Sequence, residues 1–335
     1  MNDALLQLRD IKVHFPLVAP RPWRRGETLR AVDGVSLELS ASRTLGLVGE
    51  SGCGKSTLAR AAVGMTRLTA GTVSMNGRAI DAGSPGAWRA VRRHVQMIFQ
   101  DPLASLDPRM TVGQIVAEPL RHLRPELGRT QRQARVRSML ERVGLSVSQI
   151  NRYPHEFSGG QCQRIGIARA LVVEPKVLIC DEPVSALDVS IQARIVELLM
   201  TLQAEFGIAV LFIAHDLAVV RQISHTVAVM YLGHVVERAE TDTLFDTPAH
   251  PYTRALLSAV PRPDPALERR RERIRLPGEL PSPADPPSGC VFRTRCPWAD
   301  ARCASEVPAL RRFASGSQVA CHYAEAIAAD RRALA

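Results

Sequence analysis

Long apolar runs are missing from this 335-residue sequence. The longest stretches, such as Lys176–Cys180 and Ile208–Ala214, fall far short of the ~20 residues that a membrane-spanning helix needs. The opening segment MNDALLQLRD also lacks the basic region and following apolar region of a secretory signal. The sequence therefore predicts a soluble protein that stays in the cytoplasm.

Lysine is scarce, because only Lys12, Lys55 and Lys176 occur among the 43 basic residues. The formal net charge of +10 is compatible with binding to nucleic acid or to an anionic membrane. The arginine bias, together with abundant alanine, indicates genome composition instead. At a position where the chain does have a lysine, such as Lys55, we expect that arginine could not replace it.

The first 63 residues contain three predicted strands and a helix. Two alternating strands, Leu5–Phe15 and Ala31–Leu39, flank a Pro/Arg-rich stretch over Pro16–Arg30, which predicts an antiparallel opening with an inserted loop. An apolar strand over Thr44–Val48 then leads through a glycine-rich turn to a helix over Lys55–Val63. A strand, a glycine loop and a helix are the setting that a phosphate-binding loop requires.

The rest of the chain divides into a helical insertion, an alternating segment and a tail. Residues 101–170 are rich in Arg, Gln and Leu and predict a helical subdomain. Strands and helices then alternate over Val177–Cys180, Ile191–Phe206, Ile208–Ala214, Asp216–Ile223 and Val227–Tyr231. This alternation predicts a mostly parallel sheet covered on both faces. Past Val260 the sequence is rich in Pro and Arg, with PRPDP and ERRRER, and then in Cys, which predicts a linker and a small appendage.

A complete phosphate-binding pattern, G-x-x-x-x-G-K-[ST], occupies the first eight residues of the segment Gly49–Thr57. Glycines let backbone N–H groups turn toward phosphate oxygens, Lys55 reaches the β- and γ-phosphates, and the Ser56 hydroxyl is offered to Mg²⁺. The candidate nucleotide-binding residues are Gly49, Ser51, Gly52, Cys53, Gly54, Lys55, Ser56 and Thr57. Such loops occur in kinases, GTPases, helicases and ABC proteins, so the loop predicts nucleotide binding without naming the reaction.

Two acids follow the apolar strand over Val177–Cys180. Asp181 is the candidate Mg²⁺-side carboxylate and Glu182 the candidate general base that polarises an attacking water. An acid pair at a strand end is by itself more often a solvated cap. The phosphate loop earlier in the chain favours the catalytic interpretation.

A Ser-Gly-Gly segment, Phe157–Gln161, lies between the phosphate loop and the acid pair. In isolation it would be an ordinary turn before a helix that we predict to start near Gln163. On the helical subdomain it opens a helix, so its N–H groups and the Ser158 hydroxyl form a second surface for anions. The candidate residues are Ser158, Gly159, Gly160 and Gln161.

Together these segments resemble the ABC ATPases, with Phe157 at a signature position that is more commonly leucine. The resemblance implies that Gln100 senses Mg²⁺ and the attacking water, so that Ser56, Gln100 and Asp181 surround the metal. It also implies that Asp188, in the segment Ser185–Asp188, belongs to the D-loop and that His215 contacts the γ-phosphate. Phe15 is the candidate for stacking on adenine, with a core position as the alternative.

The C-terminal tail indicates which group of ABC ATPases the chain resembles. The segments HPYTRALL and LPGE, followed by cysteines, resemble the C-terminal extension of dipeptide/oligopeptide permease ATPases, which nickel and glutathione importers share. This implies an α/β P-loop ABC core with an antiparallel β edge over residues 1–258, a helical signature subdomain at about 101–170, and a Cys-rich extension over residues 259–335.

The resemblance also implies an assembly. A complete ATP site needs two ATPase subunits arranged head to tail, expected here as a heterodimer with a homologous ATPase. Two transmembrane permease subunits and an external substrate-binding protein complete the importer, and the ATPase lies peripherally at the cytoplasmic face of the inner membrane. Nucleic acid is not an expected partner.

Two other functions compete with import. A soluble ABC protein of translation or DNA repair would usually have two cassettes in one chain or a long coiled coil, and this sequence has neither. A zinc-type nucleic-acid module in the tail would need C-x₂₋₄-C spacing, which is absent.

Four of the seven cysteines lie in the tail, at Cys290, Cys296, Cys303 and Cys321. Their gaps are too wide for zinc knuckles, a cytosolic location argues against disulfides, and the spacing departs from that of bacterial ferredoxins. Unliganded thiols remain an alternative. The resemblance implies that these four cysteines ligate one [4Fe–4S] cluster.

Overall fold

An antiparallel sheet of four strands packs beside the phosphate loop. The computed structural model describes residues 4–17, 27–81, 83–261, 273–313 and 315–329. In these residues the first sheet has the order β2-β1-β4-β5, from β1 (Ala4–Pro16), β2 (Thr28–Ser40), β4 (Ala70–Met75) and β5 (Arg78–Ala79). The predicted antiparallel opening is therefore confirmed, whereas most of its inserted loop, at 18–26, lies outside the described residues.

A second sheet of eight described strands carries the core of the fold. Its order is β11-β12-β10-β9-β3-β8-β7-β6. The strands are β3 (Thr44–Val48), β6 (Val95–Ile98), β7 (Val177–Asp181), β8 (Ala209–Ile213), β9 (Thr226–Tyr231), β10 (His234–Glu240), β11 (Arg311–Arg312) and β12 (Gln318–Val319). The pairs β9-β3, β3-β8, β8-β7 and β7-β6 are parallel. This matches the mostly parallel sheet that the alternating pattern predicts.

Strand β7 shows why such a sheet needs cover on both sides. Val177 and Ile179 pack into one buried cluster, with Leu47 of β3, while Leu178 and Cys180 pack into the other, with Val48. Successive side chains of a strand point to opposite faces, so an uninterrupted apolar strand supplies two cores.

Helices cover the two faces, and three of them form the helical subdomain. The helices are α1 (Lys55–Ala62), α2 (Pro85–Arg92), α3 (Val112–Leu123), α4 (Arg129–Arg142), α5 (Gly159–Leu171), α6 (Val189–Phe206), α7 (Leu217–Ile223), α8 (Thr241–Asp246), α9 (Pro251–Ala259), α10 (Ala301–Ser305) and α11 (Ala324–Ala329). Helices α3, α4 and α5 pack on one another. Within the described ranges, no helix has both the length and the apolarity that crossing a bilayer requires.

The helix that follows the Ser-Gly-Gly segment begins earlier than expected. We predicted a start near Gln163, but α5 starts at Gly159. The Ser158 hydroxyl accepts a hydrogen bond from Gln161 N at 3.4 Å, and Gln161 Oε1 accepts one from Ser158 N at 3.0 Å. This reciprocal capping box satisfies N–H groups at the helix start, so the two glycines become helical.

The C-terminal extension adds strands to the main sheet. Strand β12 pairs antiparallel with β10, through Glu237 and Arg238 opposite Val319 and Gln318. The predicted linker, with most of PRPDP and ERRRER, falls at 262–272 and lies outside the described residues. The appendage that follows is thus joined to the core by backbone pairing.

One close approach in this fold makes a testable prediction. A Cβ added at Gly46 of β3 would lie 2.5 Å from Ser224 Oγ and 2.6 Å from Val220 Cγ1. We expect Gly46→Ala to lower the free energy of unfolding by about 1–3 kcal/mol, because α7 would have to move off the strand.

The matched control is Gly166→Ala in α5, where an added Cβ meets no atom within 4 Å. That change should be neutral or stabilise by up to about 1 kcal/mol, since alanine favours helix over glycine. Urea unfolding of both variants decides, and an unaltered midpoint for Gly46→Ala would contradict this packing.

Candidate functional site and relatives

Lys55 lies inside the loop that precedes it. Its side chain is buried, and Nζ donates hydrogen bonds to the carbonyl oxygens of Gly49 at 2.8 Å and Glu50 at 3.0 Å. Lys55 begins α1, so the ammonium lies at the positive end of that helix's dipole. The loop thus concentrates positive charge where a phosphate would enter.

Two glycines of the loop are required by close backbone contacts. Gly49 has φ +154° and Gly54 has φ +105°. A Cβ at Gly49 would lie 2.1 Å from Met230 O, and one at Gly54 would lie 2.0 Å from Ala31 O. The loop is held between strand β9 and strand β2, and no larger residue fits at either position.

Ser56 joins the loop to the acidic strand. Its hydroxyl donates a hydrogen bond to Asp181 Oδ1 at 2.8 Å, across 125 residues of sequence. Asp181 is 1% exposed, and burial raises the pKa of its carboxyl while the Ser56 hydrogen bond opposes the shift. A hydroxyl and a buried carboxylate side by side are oxygen donors of the type that Mg²⁺ prefers.

Glu182 lies between two other predicted site residues. Gln100 Nε2 donates to Glu182 Oε2 at 3.0 Å, and His215 Nδ1 lies 3.6 Å from the same oxygen. Gln100, Glu182 and His215 follow the parallel strands β6, β7 and β8, whose carboxyl ends meet at one edge of the sheet. Glu182 has φ +48°, a strained conformation of the kind found at functional sites.

The Ser-Gly-Gly segment lies against Leu187 and Ile191, around the start of α6. A Cβ at Gly160 would lie 2.6 Å from Ile191 Cγ2, and Leu187 approaches Gly159. Asp188 is the N-cap residue of α6. The structure describes Ser158–Gln161 and residues 49–57 in full, and no hydrogen bond or ion pair joins these two segments.

Phe15 lies near the end of β1, where it pairs with Leu29 of β2. Its side chain is 39% exposed, which rules out the alternative of a fully buried core position. Its role toward adenine stays a prediction.

The three cysteines of the nucleotide motifs, Cys53, Cys162 and Cys180, are buried. Burial raises the pKa of each thiol, so these side chains are neutral at physiological pH and belong to the packed core.

The four C-terminal cysteines are neighbours but are not arranged as metal ligands. Burial raises the pKa of Cys296 to about 12; a hydrogen bond from Trp298 N–H opposes this shift, and the nearby thiols of Cys321, Cys290 and Cys303 add to it. Among the described residues, no group of three or more His, Cys, Asp or Glu side chains could hold a metal ion. The expected ligand geometry at Cys290, Cys296, Cys303 and Cys321 is therefore not found. Cys290 and Cys303 are joined through their backbones, N to O at 2.8 Å, and burial raises the pKa of both thiols.

Sequence reasoning missed two residues, Tyr252 and Arg295, that touch the phosphate loop from the C-terminal side. The Tyr252 hydroxyl accepts a hydrogen bond from Glu50 N at 2.9 Å, and Arg295 Nη1 lies 2.9 Å and 3.1 Å from the two Glu50 carboxylate oxygens. Tyr252 lies in the HPYTRALL segment, which in the sequence indicates the family and predicts no contact with the loop. No local pattern predicts these contacts, because 202 and 245 residues separate the partners.

Comparison with known families gives two matches. The ABC transporter family model matches residues 32–185, and the model for the C-terminal region of oligopeptide/dipeptide transporters matches residues 236–303. The second match covers part of the C-terminal extension, including Cys290, Cys296 and Cys303.

Close relatives cover nearly the whole chain. The oligopeptide transport ATP-binding protein OppF of Escherichia coli (strain K12) is 59% identical over 311 residues, 92% of this chain and 93% of the relative. The di/tripeptide transport ATP-binding protein DppF of Pseudomonas aeruginosa (strain UCBPP-PA14) is 49% identical over 325 residues, 96% of this chain and 98% of the relative.

Solved structures share the fold. The cbiO1 subunit from Clostridium perfringens, part of the transporter complex cbiONQ, matches with a TM-score of 0.63 and 27% identity, over 73% of this chain and 91% of that one. The ATP-binding cassette MJ0796, in a dimeric post-hydrolysis state with ADP and Pi, matches with a TM-score of 0.63 and 26% identity, over 70% of this chain and 98% of that one. With an α/β ABC ATPase fold and these relatives, the chain belongs to the family of ABC transporter ATP-binding subunits that drive oligopeptide/dipeptide import.

Proposed function

We propose that the edge of the sheet formed by β3, β6, β7 and β8 binds ATP with Mg²⁺ and hydrolyses it. The observation that carries this proposal is the Glu182 carboxylate, which accepts a hydrogen bond from Gln100 and lies 3.6 Å from His215 Nδ1, beside the Ser56–Asp181 pair. Residues 49–57, with Lys55, hold the phosphates. Glu182 takes the proton of the attacking water as general base, and His215 and Gln100 orient the γ-phosphate and that water. Mg²⁺, when bound between Ser56, Gln100 and Asp181, neutralises phosphate charge.

We infer that the complete site forms between two ATPase subunits. Ser158–Gln161 makes no polar contact with residues 49–57 in this chain, which supports a role for that segment at a partner's phosphate loop. The structurally similar cassette MJ0796 is described as dimeric. Our proposal is a head-to-tail pair with a homologous ATPase, bound to two permease subunits at the cytoplasmic face of the membrane and served by an external binding protein. Closure on ATP and reopening after hydrolysis would drive alternating access.

We also propose that the extension, residues 259–335, holds an iron–sulfur cluster. The Sγ atoms of Cys296 and Cys321 accept hydrogen bonds from the backbone N–H groups of Trp298 and Tyr323, both at 3.4 Å. Amide hydrogen bonds to sulfur are typical of cysteines that ligate such clusters. A cluster would tie together segments that share little apolar core. Cys290, Cys296, Cys303 and Cys321 would have to move into ligand geometry on binding it.

The first test of the ATP site concerns its general base. Glu182→Gln should leave ATP binding intact but reduce ATP turnover by the assembled transporter roughly 10²–10⁴-fold, because the amide cannot accept the proton. The exposed Glu197 of α6 supplies the control, since Glu197→Gln should hydrolyse ATP at the wild-type rate. Normal turnover by Glu182→Gln would remove this residue from the catalytic role.

The second test concerns phosphate binding. Lys55→Ala should weaken the affinity of the full-length chain for Mg²⁺-ATP by at least roughly tenfold, because a buried ammonium at the phosphates is lost. Lys176→Ala, at an exposed position, should bind as the wild type does. Equilibrium binding with purified protein gives both affinities, and equal values for the two variants would refute the phosphate-loop assignment.

The third test concerns the extension. Protein purified under anaerobic conditions should be brown, with broad absorbance near ~400 nm and about four irons per chain. Cys321→Ser should lose most of this iron, whereas Cys162→Ala, in the core of the helical subdomain, should keep it. Colourless anaerobic protein that contains zinc or no metal would contradict the cluster.

A further inference from the structure

An arginine of the C-terminal extension reaches into the phosphate loop. Arg295 Nη1 is within hydrogen-bond distance of both Glu50 carboxylate oxygens, and the Arg295 side chain is only 11% exposed. Glu50 is the second residue of the nine-residue loop, directly after Gly49. The extension therefore contacts the nucleotide machinery itself, in addition to the sheet edge at β10.

An aromatic cluster determines the position of Arg295. Phe292, three residues before Arg295, is fully buried, with its ring centroid 5.2 Å from that of Tyr231 and 5.5 Å from that of Tyr252. Tyr231 ends β9, next to β3 at the loop edge of the sheet. Phe292 is packed against these rings, and only two residues separate it from Arg295. The backbone position of Phe292 therefore places the Arg295 guanidinium next to Glu50.

The same cluster holds the Glu50 backbone. Tyr252 packs against Tyr231 at a centroid distance of 4.7 Å, and its hydroxyl accepts the hydrogen bond from Glu50 N. The carbonyl oxygen of Glu50 accepts a hydrogen bond from Lys55. Glu50 is thus held at its N–H by Tyr252, at its carbonyl by the phosphate-binding lysine, and at its carboxylate by Arg295.

Because Glu50 is charged, its contact with Arg295 affects the electrostatics of the phosphate loop as well as its structure. A carboxylate in a loop that cradles phosphates repels them, and in a half-buried setting water screens that repulsion poorly. Glu50 is 29% exposed at its side chain, so its charge is only partly solvated. Removing one member of such a pair leaves the other charge uncompensated, which costs more than the pair contributes.

We propose that Arg295 is a positioning residue for ATP: it neutralises Glu50 and holds the loop, so that the affinity of the site for nucleotide depends on the C-terminal extension. The proposal rests on the phosphate-loop assignment made above. It gives the extension a direct influence on the first step of the transport cycle.

The sign of the effect distinguishes charge neutralisation from simple structural support. Arg295→Gln leaves Glu50 charged beside the phosphates and should raise the KM for ATP about tenfold, with kcat at saturating ATP little changed. Glu50→Gln removes the repelling charge while Arg295 stays positive, and it should lower the KM for ATP. The double variant Glu50→Gln/Arg295→Gln should return the KM to within about threefold of the wild type, since neither charge remains.

The experiment measures ATPase kinetics of the assembled transporter, and affinity of the full-length chain for a non-hydrolysable ATP analogue with Mg²⁺. Arg302→Gln is the matched control, because Arg302 forms an exposed ion pair with Glu306 in the same extension at 2.8 Å. It should behave as the wild type. Thermal unfolding of every variant reports any loss of folding.

Two results would overturn the proposal. One is an unchanged KM for Arg295→Gln while Lys55→Ala abolishes binding, which would refute the role of Arg295 and leave the phosphate loop intact. The other is a double variant as impaired as Arg295→Gln alone, which would assign the loss to packing and not to the charge of Glu50. Normal binding by Lys55→Ala would instead refute the underlying assignment of the loop.

Discussion

Parallel pairing of β3, β8, β7 and β6 is the constraint on which the site depends. In a parallel sheet the carboxyl ends of neighbouring strands meet at one edge, so residues far apart in sequence are brought together there. Four such ends supply the phosphate loop, the acid pair, Gln100 and His215. The hydrogen bond from Ser56 to Asp181 then fixes the loop against the acidic strand. The site therefore needs few side-chain contacts to hold it together, because the register of the strands already places its residues at one edge.

Local patterns predicted the elements well and the contacts between distant segments poorly. The strand Thr44–Val48 has the predicted bounds, and Glu182, Gln100 and His215 do lie together. The start of α5 was wrong, since periodicity does not register a capping box that makes Ser158 the boundary. The links from Glu50 to Tyr252 and Arg295 depend on tertiary packing that no local spacing encodes. The cysteine positions indicated proximity in the tail but not side-chain geometry.

The C-terminal extension contacts both the main sheet and the phosphate loop. Its strand β12 lengthens the main sheet through β10, its Phe292 fills an aromatic cluster behind the phosphate loop, and its Arg295 binds a loop residue. Among the contacts of its described residues, the backbone pairing of β12, the buried Phe292 ring and the Arg295–Glu50 ion pair hold the extension against the core.

The most direct test is a structure of the assembled transporter with Mg²⁺ and a non-hydrolysable ATP analogue. We expect the β- and γ-phosphates about 3 Å from Lys55 Nζ, the metal beside Ser56 and Asp181, and the Glu182 carboxylate facing the γ-phosphate. The signature serine of the partner ATPase should approach the same γ-phosphate. Phosphates bound away from Lys55, or Glu182 turned away from them, would contradict the central claim that this strand edge is the hydrolytic site.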